Sequence, residues 1–361
     1  MKKYSVGVIG GTGTVGQRYI CLLDGHPWFQ VTAIAASGRS AGKSYAEAVG
    51  SRWAMEMPMP ESVKNLMVLH AEDDKETLAS QVDFVFSAVD MKKEEIRALE
   101  DAYAKLECPV VSNNSAHRWT ADVPMVIPEV NPEHLEVIEA QRARLGTKRG
   151  FVAAKTNCSI QGYTPALTPL RKFGIEKVLV CTYQAISGAG KTFETWPEMI
   201  DNVIPYIGGE EEKSEQEPLK LWGRIQNGVI EAATEPSITA QCIRVPVTDG
   251  HMAAVYVTFQ NKPSEEEIKE IWRSFQGRAQ ELNLPSAPKQ FLHYFEEDNR
   301  PQTRLDRDLE GGMAVSLGRL RADTQYDYKF VGLAHNTLRG AAGGAVLLAE
   351  LLCAEGYITP R

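Results

Sequence analysis

The chain has 361 residues, 43% of them hydrophobic and 24% charged, with a formal net charge of −8. That length exceeds what one hydrophobic core usually serves, so two domains, or one with a large insertion, are expected of an otherwise ordinary globular composition. The negative balance, with no basic patch to offset it, speaks against nucleic-acid and anionic-membrane partners, because both surfaces repel it.

In chain order, residues 4–112 alternate short β-branched runs with stretches of helical period. SVGVIG, QVTAIAAS, VDFVFSAV and CPVVSN read as strands, TVGQRYICLLDG and KKEEIRALEDAYAKL as helices. This is the rhythm of βαβ units, and it predicts an α/β fold with a parallel sheet covered by helices on both faces. From about residue 150 the strands lengthen and become more amphipathic: KVLVCTYQAIS, SITAQCIRVPV, HMAAVYVTFQ, MAVSLGRLRA and DYKFVGLA. Several follow one another without a strong helix between, which predicts a largely antiparallel or mixed sheet in a second domain. The acidic GGEEEKSEQE reads by default as a solvated loop. The closing NTLRGAAGGAVLLAELLCAEGY is helical by pattern, with small residues in its first turns. It either packs tightly on a sheet, the commoner case, or returns to the first domain near its ligand.

The six cysteines show neither a CxxC pair nor the spacing of a zinc site or disulfide framework, and no histidine pair has metal-ligand spacing, so no metal is expected. The N-terminal MKKYSVGVIGGTGTVG starts positive, but glycines break its apolar run and no cleavage pattern follows. No apolar run reaches the length of a membrane span. A reducing, cytoplasmic setting is expected.

Directly after the first strand comes Gly10-Gly11-Thr12-Gly13-Thr14-Val15-Gly16, which fits GxGxxG from Gly11 and GxxGxxG from Gly10. Glycines suit a backbone that a pyrophosphate approaches closely, and the helix that comes next offers unpaired N–H groups and a positive dipole end. A lone GxGxxG is weak, but the strand before and the helix after favour dinucleotide binding over a structural turn. The second strand ends Ala36-Ser37-Gly38-Arg39-Ser40, without the acid that would bind an NAD ribose. Arg39 and Ser37 suit a 2′-phosphate, so NADP is the expected cofactor; the plainer reading is an arginine in a surface turn. Ser40 and Ser87, at two predicted strand ends, complete this part of the candidate cofactor set.

Cys158 lies at a predicted strand end before a helical stretch, in AAKTNCSI. A helix N-terminus there would lower the thiol pKa and offer N–H groups to an oxyanion, as a nucleophile needs. The other cysteines sit in apolar runs or, for Cys108, without polar company, and read as core filler. His251 ends the turn-like Val247-Thr248-Asp249-Gly250-His251, where a loop meets a strand. Local sequence alone still favours a structural role for it.

The fragments GGTGTVG, TNCSIQG, TYQAISGAGK, GGEEEK, RVPVTDGH and HNTLRGAAGG, in this order and separation, make the chain resemble the aspartate-β-semialdehyde dehydrogenase family, in its archaeal and fungal-like branch, over nearly its whole length. The resemblance implies a Rossmann-type NADP-binding domain from residues 1–155 and 337–361. It implies an α+β catalytic and dimerisation domain with a mixed sheet from residues 156–336, in a homodimer or homotetramer. It implies NADPH-dependent reduction of β-aspartyl phosphate to L-aspartate-β-semialdehyde with release of phosphate, a step shared by lysine, threonine and methionine synthesis. On matching positions, Cys158 becomes the acyl-thioester nucleophile and His251 the general acid/base. Arg244 holds the substrate carboxylate, Glu210 its ammonium and Lys213 the phosphoryl group, with Glu210 and Lys213 on one side of a helical turn. Arg118, supported by Asn114 and Asn157, joins the phosphate site, and Gln184 orients the acyl intermediate. Ser187 and Gly188 face the nicotinamide, and Asn336 reaches the cofactor from the C-terminal segment.

Three rivals remain at this level. Malonyl-CoA reductase shares the scaffold but has no substrate ammonium for Glu210 to meet. N-acetylglutamyl-phosphate reductase is more distant, and GGEEEK argues against it. A catalytically silent NADP sensor would need neither Cys158 nor His251.

Overall fold

The structure, a computed structural model, describes residues 3–361. Its first sheet holds β1 (Tyr4–Ile9), β2 (Phe29–Ala36), β3 (Val68–His70), β4 (Phe84–Ser87), β5 (Val110–Ser112) and β6 (Val152–Ala154) in the order β3-β2-β1-β4-β5-β6. Every pair is parallel. Strands covered on both faces read as continuous apolar runs, and β4, FVFS, is buried at each position. The expected strands thus form, whereas β3, at three residues, is too short to show a period and escaped the sequence reading. The strand order reverses between β1 and β4, and at such a switch point a crevice opens beyond the strand ends.

The second sheet draws on β7 (Ile175–Gln184), β10 (Ser237–Arg244), β11 (His251–Phe259), β12 (Leu292–Phe295), β13 (Val315–Ala322) and β14 (Tyr328–Ala334), with a separate hairpin of β8 (Arg224–Gln226) and β9 (Val229–Glu231). Its order is β10-β7-β11-β14-β13-β12. β10 runs parallel to β7 and β12 to β13, and the remaining pairs are antiparallel, so the expected mixed sheet forms. β11 alternates buried and half-buried residues along its whole length. Val255 and Val257 pack into a core with Trp272 and Phe330, while Met252 and Tyr256 lie on the opposite, half-exposed face beside Tyr183 and Leu179 of β7.

One segment departs from its plainest sequence reading. GGEEEKSEQE is no loop: Glu210–Leu221 is a helix that buries Glu210, Ser214 and Glu217. Those positions recur at helical spacing, and three glutamates in the first turn suit the positive end of the helix dipole. A run dense in charge hid a polar inner face. The C-terminal helix, Gly343–Ala354, is apolar but for Glu350, which pairs with His26 at 2.8 Å, and is buried from Gly343 to Leu352. It shares a core with Val6, Phe84 and Val111 of the first sheet. No helix among the described residues is long and apolar enough to cross a membrane.

Candidate active site

The crevice at the strand-order reversal is a cleft of about 660 Å³, lined by Gly10, Thr12 and Gly13 after β1, Ala88 and Val89 after β4, and Ser37, Arg39 and Ser40 after β2. Gly10 has φ +82°, which favours glycine, and a Cβ on Gly16 would stand 2.3 Å from the Gly10 carbonyl oxygen. Gly13 caps the helix Thr14–Leu23 without a side-chain hydrogen bond, so the first-turn N–H groups stay open to an anion. Arg39 is exposed at the rim, and Lys43, which the sequence reading missed, lines the same end and donates to the Arg39 carbonyl oxygen at 3.0 Å. A glycine cradle with two cations, Arg39 and Lys43, at one end of the cleft fits a 2′-phosphorylated dinucleotide.

A second cleft, of about 350 Å³, is lined by Thr14 and Val15 from the glycine loop, Asn114 and Arg118 after β5, and Asn157 and Cys158 after β6. Ser187 and Gly188 close it from the loop after β7, Glu210 and Lys213 from their helix, and Asn336 from the segment after β14. Hydrogen bonds hold these parts in register. Asn336 donates to Ser187 Oγ at 2.8 Å and accepts from the Gly250 N–H at 2.8 Å. Glu210 accepts from Asn157 Nδ2 at 3.0 Å, Gln184 Nε2 at 3.3 Å and Lys213 Nζ at 2.7 Å. Glu210 and Lys213 therefore do share one side of the helix, paired with each other.

Gln184, Arg244 and His251 lie one layer behind the cleft wall. A Cβ on Gly188 would come within 3.0 Å of both Arg244 Nη1 and His251 Nε2. Arg244, at the end of β10, donates to the Ala185 carbonyl oxygen at 2.6 Å. His251 opens β11 fully buried; its Nδ1 accepts from the Ala185 N–H at 3.0 Å, while Nε2 has no partner. Burial, and then Arg244, push its pKa down to about 3. The unfolded chain therefore takes up a proton near pH 6.5 that the folded chain refuses until about pH 3, and the stability this gives is complete above that window and lost as pH falls through it. Between pH 7 and 4 wild type is expected to lose more stability than His251→Gln in denaturant titrations; parallel losses would refute the assignment.

Cys158 is half-buried, and the segment after it is a 3-10 turn of four residues, Ser159–Gly162, rather than a full helix. Little dipole acts on the sulfur, and burial followed by Glu210 pushes the thiol pKa up, against the expected lowering. The Asn157 N–H donates to Glu217 Oε2 at 2.5 Å and the Ser159 N–H to Asn157 Oδ1 at 2.7 Å, so these two N–H groups are already engaged within the protein.

Residues 5–138 match the family described as semialdehyde dehydrogenase, NAD binding domain, and residues 167–339 match semialdehyde dehydrogenase, dimerisation domain. The aspartate-semialdehyde dehydrogenase of Methanothermobacter thermautotrophicus is 44% identical over 96% of this chain and 98% of its own, and that of Aspergillus fumigatus 43% identical over 99% of each. The chain belongs to the aspartate-semialdehyde dehydrogenase family. Among solved structures, the aspartate semialdehyde dehydrogenase with NADP from Candida albicans superposes with a TM-score of 0.88 at 39% identity, over 99% of this chain and 100% of that one. The malonyl-CoA reductase and sensor alternatives draw no support from these relatives.

Two more of the residues singled out sit differently from what the family resemblance implied. Ser87 reaches neither cleft: its side chain is buried beneath Asn114, whose Nδ2 donates to it at 3.1 Å. Arg118 lines the second cleft, but its guanidinium already bonds Glu217 at 2.9 Å, the Lys155 carbonyl oxygen at 2.9 Å and the Asn113 carbonyl oxygen at 3.4 Å. Three of about five donors are thus spent inside the protein. Arg18 and Lys155 also line the cleft and were missed. Arg18 stands four residues after Thr14 on the same helix face, a spacing that could have disclosed it. Lys155 gave no such signal.

Proposed function

We propose that this member of the aspartate-semialdehyde dehydrogenase family reduces L-4-aspartyl phosphate with NADPH, releasing L-aspartate 4-semialdehyde and phosphate through a thioester on Cys158. The observation that carries this reading is that one cleft, opening beside the dinucleotide crevice, gathers Cys158 with the Glu210–Lys213 pair. Glu210 receives the substrate ammonium and Lys213 an anionic oxygen, so the substrate replaces part of the pairing these groups make with each other. Arg244 meets the α-carboxylate from behind Gly188. The Cys158 sulfur attacks the acyl carbon, the acyl–oxygen bond breaks, phosphate leaves toward Arg118 and Asn114 with the proton the thiol gives up, and a thioester remains. When bound, NADPH supplies the hydride that takes the acyl group to the aldehyde level. His251 bonds the acyl oxygen and moves the proton through Nε2, and Gln184 and Asn157 keep Glu210 in place. The direct test is NADP⁺ reduction with L-aspartate 4-semialdehyde, with and without inorganic phosphate. Turnover that needs phosphate supports the reading, and turnover indifferent to phosphate removes it.

For the cofactor, Arg39→Ala is expected to weaken NADP binding by about tenfold or more, the scale of one charge-assisted hydrogen bond, while leaving NAD affinity alone. Fluorescence titration of both nucleotides measures this, and unchanged NADP affinity would sink the role given to Arg39. The same reading makes the protein a homodimer or homotetramer, with the half-exposed face bearing Tyr183, Met252 and Tyr256 available to a second copy. It is assigned to the cytoplasm, in keeping with six free cysteines. The domain division at 155/156 and 336/337 is part of this proposal.

A further inference from the structure

Lys155 is a buried cation without a task in the mechanism above. It follows β6 directly, is 2% exposed and lines the cleft of Cys158. Its ammonium donates to the Thr156 carbonyl oxygen at 2.5 Å and to the carbonyl oxygen of Gly340. Gly340 presses on the nucleophile: a Cβ there would stand 2.7 Å from the Cβ of Cys158. One amino group thus joins the nucleophile's turn to the C-terminal segment that carries Asn336. Burying an ammonium is costly, and a methionine would fill similar space without that cost, so packing alone does not account for a lysine here.

We propose that Lys155 is a positioning residue of the reaction, holding Gly340 against Cys158 and keeping a positive charge beside the sulfur as the thiolate forms. This rests on the thioester reading. Glu210 opposes a negative charge on Cys158, whereas Lys155, Arg118 and Arg244 favour it. Arg118 is bonded to the Glu217 carboxylate, but Lys155 and Arg244 donate to carbonyl oxygens and are not neutralised by a directly bonded acid. Around Lys155 itself stand Arg118 and Arg339, which oppose its charge, and Cys158 and Glu217, which favour it; burial above all brings its pKa down to about 7. A thiolate on Cys158 in turn favours the Lys155 ammonium, so the two charges form as a pair rather than each group titrating alone.

The test uses Lys155→Met, which removes donors and charge, and Lys155→Gln, which keeps two N–H donors without charge. The rate of Cys158 alkylation by iodoacetamide is followed against pH by peptide mapping, with kcat measured on the same preparations and NADP affinity as the check on folding. In both variants the alkylation midpoint is expected to rise by about one pH unit. Turnover is expected to fall about tenfold or more in the methionine variant and less in the glutamine variant, which keeps the tether. If the methionine variant fails to bind NADP, the glutamine variant decides. A midpoint unmoved in the folded variants overturns the proposal, whatever happens to turnover. Wild-type alkylation at Cys158 that spares turnover removes the thioester reading, and this inference with it.

Discussion

Replacing Cys158 with alanine is expected to lower phosphate-dependent NADP⁺ reduction by about 10⁴-fold or more, to the floor of the assay, with NADP affinity unchanged. The two effects separate because the sulfur lines the second cleft, whereas Thr12, Ser37 and Arg39 line the first. No neighbour can take over the covalent step. Cys242 is buried and its sulfur lies 3.6 Å from Ser214 Oγ, and neither lines the cleft. Cys158→Ser should fare little better, since a hydroxyl is far less acidic than a thiol and this site already raises the pKa of the group it holds. Steady-state turnover and nucleotide titration on the same samples measure both quantities, and turnover within tenfold of wild type in the alanine variant would end the thioester mechanism.

Breaking the Arg339–Glu129 pair is expected to cost about 3–5 kcal/mol of stability, the range for removing one partner of a buried ion pair. Both side chains are almost wholly buried. Arg339 donates to both Glu129 oxygens, at 2.8 Å to Oε1, and its Nε donates to Gln161 Oε1 at 3.1 Å, with the Phe291 ring 4.4 Å from the guanidinium carbon. Glu129→Ala would strand that cation in the interior. The pair Glu129→Leu with Arg339→Met should recover most of the loss, because it removes both charges and fills similar volume. Thermal melting of the singles and the double reads this out as the double melting above either single. Singles that melt with wild type would show that the pair carries no stability. Activity should fall in the singles as well, since Arg339 adjoins Gly340 and Gln161 belongs to the Cys158 turn.

Local features made much of the molecule legible. The apolar runs of β1, β2 and β4 and the long strands β7, β10, β11, β13 and β14 carry their own periods, so the parallel sheet and the mixed sheet could be read before any contact was known. The glycine loop was legible for the same reason: strand, turn and helix are neighbours in sequence, and Gly10 answers to a backbone angle set within that turn. Short elements such as β3 failed because three residues do not complete a pattern.

The chemistry around Cys158 is a different matter. Local pattern by itself marked Cys158 and its strand-end setting, whereas Glu210 and Lys213, in a segment that read locally as a solvated loop, came only from the resemblance. Only the tertiary structure decided that Glu217 takes Arg118 from 99 residues away, that Lys155 reaches Gly340 across 185, and that Arg339 finds Glu129 across 210. It also decided that the thiol pKa rises and that the His251 pKa falls. A periodicity reports which face of one element is apolar, but the pKa of a group depends on which elements bury it and which distant charges they bring. Pairing and desolvation are properties of the packed chain, and they exist only once the two sheets and the C-terminal segment have met.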